Sequence, residues 1–398
     1  MTPTMPAPAA APREGRRPRI EAVDVLRGLV MILMALDHTR EYFSHPTDNP
    51  SDLDTTTAAL FFTRWVTFFC APVFFLLTGT GASLSLRRKS LPELSRFLFT
   101  RGLWLIFLEV VVMRCFAYQL NVDYRVTALL VLWALGWAMI VLALLVRLPL
   151  GATVAFGAAL VVGHNLFDGV RSTHPLWIIL HAPGFVVSGP RVSVFVAYPL
   201  VPWIGVTALG YGLGRVYAWE PERRRRLLLR LGVALTIAFV ALRALDRYGD
   251  PIPWSSQRAP WRTVLSFLAA TKYPPSLSFL LMTLGPALVL LGLFERGTPR
   301  LLRPSLLYGK VPLFYYVVHF ALIHAIAVVV CFARYGAAHW LFESPDMAHY
   351  PFSPPPGWGF GLPVVYLMWA GVVLAMYLPC RWFAALKQRR SDAWLSYL

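Results

Sequence analysis

The stretch DVLRGLVMILMALDHTREYFSH, residues 24–45, decides how this chain is read. It is the first long apolar run, and it carries polar groups where a helix in lipid can least hold them. Written as a helix, Asp24, Arg27, Met31, Met34, His38, Glu41 and His45 follow at three- or four-residue steps and share one face. Asp24 and His38 are then about 21 Å apart along the axis, so Arg27 and His38 lie toward opposite ends of a span. A charge in hydrocarbon costs at least about 2.5 kcal/mol, so such groups face a protein interior or a water-filled cavity. The expectation is a helix that lines a polar path, with His38 near its outer end.

Composition agrees with a membrane setting. Of 398 residues, 57% are hydrophobic and 14% charged, against about 25% charged in a soluble domain. The mean hydropathy is +0.57. The net charge of +17 sits in short arginine clusters between apolar runs, as in the loops of a membrane protein, so no nucleic-acid partner is expected. Cys70, Cys115, Cys331 and Cys380 are scattered through apolar segments and read as small buried hydrophobes. No phosphate loop and no HExxH are present, which removes support for ATP hydrolysis and zinc proteolysis. No metal is expected.

The fold class expected is all-α: a polytopic integral membrane bundle of about ten transmembrane helices. The spans fall at 23–43, 60–84, 97–118, 126–147, 150–167, 193–217, 227–246, 276–294, 309–333 and 361–385. Residues 1–19 read as a disordered basic tail, 20–390 as a single transmembrane domain, and 391–398 as a short C-terminal tail. One set of loops holds about 22 of the Lys and Arg residues and the other about 9, which places both termini in the cytoplasm. The stretch 247–275 is aromatic and basic, with Trp254, Trp261, Lys272 and Tyr273, and reads as an interfacial helix or re-entrant piece.

His38 is the first candidate for a general base, because a histidine works near neutral pH without heavy tuning. Asp37 precedes it, but neighbours on a helix point about 100° apart, so direct pairing does not follow. His319 and His324, five apart, share a face poorly, and one of them is expected toward the central cavity. Arg64, Arg101, Glu109 and Arg114 lie inside spans, where structural ion pairing is the plain reading; Glu109 needs a partner, expected to be an arginine or histidine, and Arg114, near an outer end, either pairs or snorkels.

Several pieces together resemble the heparan-alpha-glucosaminide N-acetyltransferase catalytic-domain family and its bacterial relatives. They are VDVLRGLVMILMALDHTREYFS, APVFFLLTGTGASLSL, PLVPWIGVTALGYGLGR, TKYPPSLSFLLMTLGPALVLL and GKVPLFYYVVHFALIH, running from about residue 22 to 325. The resemblance implies a transmembrane acyltransferase in a bacterial inner membrane. It would take an acetyl group from cytoplasmic acetyl-CoA and place it on an amine or hydroxyl of an extracytoplasmic or lipid-linked glycan. It carries a catalytic role to His45, through YFSH, or to His38, as in more distant membrane acyltransferases; both stay open, with Asp37 beside them. The donor would be held by Arg27, Arg101 and Lys310, with help from residues 87–89. Arg64, Lys272, His319 and His324 would meet the acceptor. The bilayer is the other expected partner, and a homodimer is left open. The competing function is a transporter or flippase for an anionic sugar or lipid, and a third is a membrane protein without catalysis.

Overall fold

The computed structural model describes residues 20–390 together with 392, 395 and 397. The tail 1–19 and the rest of the tail 391–398 lie outside the described residues. Ten long helical segments follow one another. They are α1 (Glu21–Phe43), α2 (Ala58–Ser85), α3 (Leu91–Phe107, continued as a π-helix over Leu108–Tyr118), α4 (Val131–Leu145) and α5 (Leu150–Phe167). Then come α6 (Leu200–Val216), α7 (Pro221–Leu245), α8 (Leu277–Phe294), α9 (Pro312–Tyr335) and α10 (Leu362–Arg389).

Each segment overlaps one expected span, and six of them carry the membrane character on their own. Among the described residues, six helices are long and apolar enough to cross a membrane: α2, α5, α7, α8, α9 and α10. Three of the other four fall short for physical reasons. α4 and α6 have 15 and 17 residues, at or below the short end of the about 17–25 that span a bilayer. α1 carries Glu21, Asp24, Arg27, Asp37, Arg40 and Glu41 in one helix. Two expected spans also begin too early. Residues 126–129 and 193–196 are strands, β1 (Val126–Leu129) and β3 (Ser193–Val196), paired in parallel, with β2 (Gly184–Ser188) antiparallel on the far side of β3. VTAL and SVFV are short and rich in β-branched and aromatic residues, and α6 starts only after Pro199.

Large apolar side chains stand exposed around the bundle: Ile237, Val240 and Leu245 on α7, Val329 and Phe332 on α9, Leu367, Leu374 and Leu378 on α10. Such a surface is unfavourable in water and suits hydrocarbon. The protein is an integral membrane protein. All four cysteines are buried and free.

α1 is the central helix. It packs against α2, α8, α9, α10 and the short helix Ser305–Lys310. Two glycines set the last of these contacts. A Cβ on Gly28 would stand 1.8 Å from the Ser305 carbonyl oxygen, and one on Gly309 would stand 1.9 Å from that of Asp24. Backbone therefore lies on backbone, and Lys310 is brought beside Arg27, whose Nη1 donates to the Gly309 carbonyl at 3.2 Å. Gly309→Ala is expected to force these helices apart. Overpacking of this kind costs about 1–3 kcal/mol or more, so the detergent-solubilised variant should melt several degrees lower; an unchanged melting temperature would show that the contact yields freely.

The segment between α7 and α8 is folded back onto the bundle. The guanidinium of Arg243, almost fully buried, donates to the carbonyls of Ile252 (2.8 Å), Phe267 (3.0 Å) and Ser266 (3.1 Å). Asp250 accepts from the Thr271 amide (3.0 Å) and from the hydroxyls of Thr271 and Ser276 (2.7 Å each). The segment contains one helix, Pro260–Leu268, and then delivers Lys272 and Tyr273 to the top of α1.

Candidate active site

Two cavities lie along α1. The first, about 290 Å³, is at its N-terminal part, with Arg27, Arg101, Lys310 and Lys387 in a wall otherwise largely apolar (Met31, Leu105, Met139). Among the described residues no carboxylate lines it, although Asp24 pairs with Arg27 at 3.0 Å just behind the wall. The three cations expected to act together are therefore brought together. Lys387 joins them from the end of α10. The cluster 87–89 does not: Arg87 donates to the Tyr217 carbonyl at 2.7 Å, and Lys89 stands over the Phe97 ring. Lys89 is nonetheless next to the wall, since Phe97 lines the cavity.

The second cavity, about 310 Å³, surrounds His38. Its wall includes Asp37, Glu41, Lys272 and the tyrosines 42, 118, 198, 273, 316 and 350. The two cavities have Val131 and Tyr316 in common. A third, about 420 Å³, adjoins the second through Lys272 and Tyr273 and includes Arg64.

The protons at His38 can be assigned from the acceptors. His319 Nδ1 lies 2.8 Å from the Tyr315 carbonyl oxygen, one turn back on α9. A carbonyl only accepts, so this nitrogen carries the proton and the neutral His319 ring has a bare Nε2. That Nε2 lies 2.8 Å from His38 Nδ1, which must then be the donor. His38 is left with a lone pair on Nε2, the state a general base needs. Phe320, the residue after His319 on α9, stacks on the same ring at 3.8 Å between centroids. His319 itself is completely buried, behind His38.

Asp37 does not pair with His38. It accepts from Arg64 through a short hydrogen bond and from Arg40 at 3.2 Å, and Glu41 lies 3.7–3.8 Å from both guanidiniums. Two acids and two arginines balance in charge, so the cluster can stay ionised beside the cavity. Lys272 stands over the rings of Phe68 and Tyr273 at 5.5 and 5.1 Å. His45 is exposed, two turns further along, against Gly359, and outside the walls of these cavities. His324 also lies outside them, its Nδ1 and Nε2 at 3.0 and 2.8 Å from the carbonyls of Ala117 and Leu341.

One further expectation is corrected, and one left open is decided. Among the described residues Glu109 takes neither arginine nor histidine: its carboxylate accepts from the Leu132 amide at 2.8 Å, at the positive end of α4. Arg114, for which pairing and snorkelling both stood open, is buried and paired, donating to Asn121 (2.8 Å) and Asp123 (3.1 Å). Apart from Tyr273, the tyrosines of the His38 cavity carry no signal in the sequence, where they are spread over five further segments with no common spacing.

The family model described as heparan-alpha-glucosaminide N-acetyltransferase, catalytic, matches residues 19–247. The match takes in Arg27, Asp37, His38, His45, Arg64 and Arg101 and ends before Lys272, Lys310 and His319. No curated protein matches the chain. More than half of its length lies inside the family match, and the protein belongs to the heparan-alpha-glucosaminide N-acetyltransferase catalytic family, a family of membrane acetyltransferases.

Proposed function

We propose that the protein moves an acetyl group from acetyl-CoA, held in the Arg27 cavity, to an amine or hydroxyl of a glycan or lipid-linked sugar that enters the His38 cavity. The observation that carries this reading is the pair of cavities on one helix. One is cationic and the other holds a histidine with a free lone pair, and they share the wall made by Val131 and Tyr316. Coenzyme A carries several phosphates, which suit Arg27, Arg101, Lys310 and Lys387. Its pantetheine arm is long and weakly polar, which suits the apolar wall beyond them. Arg27 and His38 are about 16 Å apart along α1, so an extended arm brings the thioester toward His38. There Nε2 takes the proton of the attacking amine or hydroxyl. The cytoplasm is assigned to the Arg27 side from the excess of basic loop residues at that end. Lys272 and Arg64, facing the adjoining cavity, would meet the acceptor.

The test is transfer in sealed vesicles of known orientation. Labelled acetyl-CoA supplied on the Arg27 side should label glucosamine-ended glycans on the other side. Arg27→Ala should weaken acetyl-CoA binding roughly ten- to a hundredfold, because a charge-assisted bond contributes about 1.5–3 kcal/mol. Arg27→Lys should restore part of that affinity, while melting temperatures stay close. Acetyl-CoA that binds with equal affinity in all three proteins would remove Arg27 from the donor site. The same linked cavities would also serve a transporter; sugar or lipid movement without consumption of acetyl-CoA would decide for that reading.

A further inference from the structure

We propose that Tyr316 is a catalytic residue that donates a hydrogen bond to the thioester carbonyl oxygen during transfer, with Tyr118 setting its hydroxyl; this rests on the acetyl-transfer reading above. Tyr316 and Val131 are the residues common to both cavity walls. Val131 has no polar side-chain atom, so the Tyr316 hydroxyl is the polar side-chain group at the junction where a thioester from one side meets a nucleophile from the other. Its ring stands edge-on to His38, 6.4 Å between centroids, and Tyr316 precedes His319 by three residues on α9. One helix thus places both the group that orients the base and the group that faces the carbonyl.

The Tyr316 hydroxyl is 2.6 Å from that of Tyr118, and both residues are buried. Two hydroxyls hold two protons but share only one between them, so the pair retains a proton for another acceptor. Hydroxyls rotate to suit, so Tyr118 can donate to Tyr316 and Tyr316 to the substrate. Tyr118 is itself fixed at the end of the π-helix, where its carbonyl accepts from the Tyr42 hydroxyl at 3.0 Å. In transfer, the acceptor nitrogen or oxygen forms a bond to the carbonyl carbon, and the C=O electron pair moves onto oxygen, where Tyr316 hydrogen-bonds to it without giving up its proton. The nucleophile's proton goes to His38 Nε2. The C=O bond then re-forms, the C–S bond breaks, and the departing thiolate takes that proton from His38.

Removing one such donor typically lowers the rate about 10²–10³-fold. Tyr316→Phe keeps the ring that packs on His38 and Phe320 and removes only the oxygen. In vesicles given labelled acetyl-CoA and glucosamine-ended glycans, its kcat should fall by that factor. Acetyl-CoA affinity, acceptor KM and melting temperature should stay within about twofold or a few degrees of wild type. Tyr118→Phe leaves the Tyr316 hydroxyl in place without its partner and should cost about tenfold. A Tyr316→Phe protein with kcat within threefold of an active wild type would overturn the assignment of Tyr316 and leave the transfer reading standing. A wild type that binds acetyl-CoA but labels no acceptor would overturn both.

Discussion

His38→Ala is expected to lower acetyl transfer by about 10²-fold or more, while acetyl-CoA still binds with near-normal affinity. The two halves of this expectation come from the distance between the sites. The base stands at the far end of α1 from Arg27, and the two groups line different cavities. Loss of the His38 ring removes the lone pair that receives the nucleophile's proton and leaves the cationic pocket untouched. Because the ring also stacks on Phe320, His38→Gln is the companion variant: it fills more of the space and supplies no comparable base, so it should be about as inactive as the alanine variant. His45→Ala should keep kcat within a few-fold, since His45 is exposed against Gly359, outside both cavities. The reverse pattern, with His45→Ala inert and His38→Ala active, would move the base to the outer loop and sink the assignment made from geometry.

How far the sequence could carry this site depends on the kind of signal. α1 was legible because its polar groups repeat at helical spacing through an apolar run, and a periodic face survives without knowledge of partners. Arg27, Arg101 and Lys310 could be grouped because positive charge in or beside a span is costly and needs a use. The partner of Asp37 was not legible. Arg40 lies on the same helix, but Arg64 comes from α2, and only the packing of α1 on α2 brings it there. The same is true of His38 and His319, which are 281 residues apart in sequence and 2.8 Å apart in space.

The fold shows a similar division. Long apolar runs such as Pro312–Tyr335 identify themselves by length and hydropathy. The short strands at 126–129 and 193–196 are apolar too, and a short apolar run does not announce whether it is strand or helix. Their pairing is non-local, β1 with β3 across more than sixty residues, so it leaves no local trace. Lys387 was hidden for another reason. At the end of a terminal helix a lysine is ordinarily a loop charge, and its place in the cavity depends on how α10 closes beside α1.

His319→Leu is expected to cost about as much as loss of the base itself, although His319 touches neither cavity. Its bare Nε2 is the acceptor for His38 Nδ1–H. Without that acceptor a buried N–H loses its partner, at a cost of about 1–3 kcal/mol. His38 can relieve this by moving its proton to Nε2 or by turning the ring, and either change takes the lone pair away from the nucleophile. In the Ser-His-Asp proteases, replacing the group that orients the histidine leaves the geometry intact and still lowers kcat about 10⁴-fold; a neutral orienting ring contributes less, so a fall of about 10²-fold is the expectation here. A purely structural role would be equally served by any side chain that fills the space. The discriminating variant is therefore His319→Gln, whose amide oxygen can accept from His38 Nδ1 and whose amide N–H can donate. It should recover a substantial part of kcat, with acceptor KM and acetyl-CoA affinity unchanged in both variants. If His319→Leu transfers as fast as wild type, His38 does not depend on this hydrogen bond for its orientation. If glutamine and leucine are equally inert while acetyl-CoA still binds, an acceptor for His38 Nδ1 is not sufficient, and the imidazole ring of His319 is itself required to orient His38.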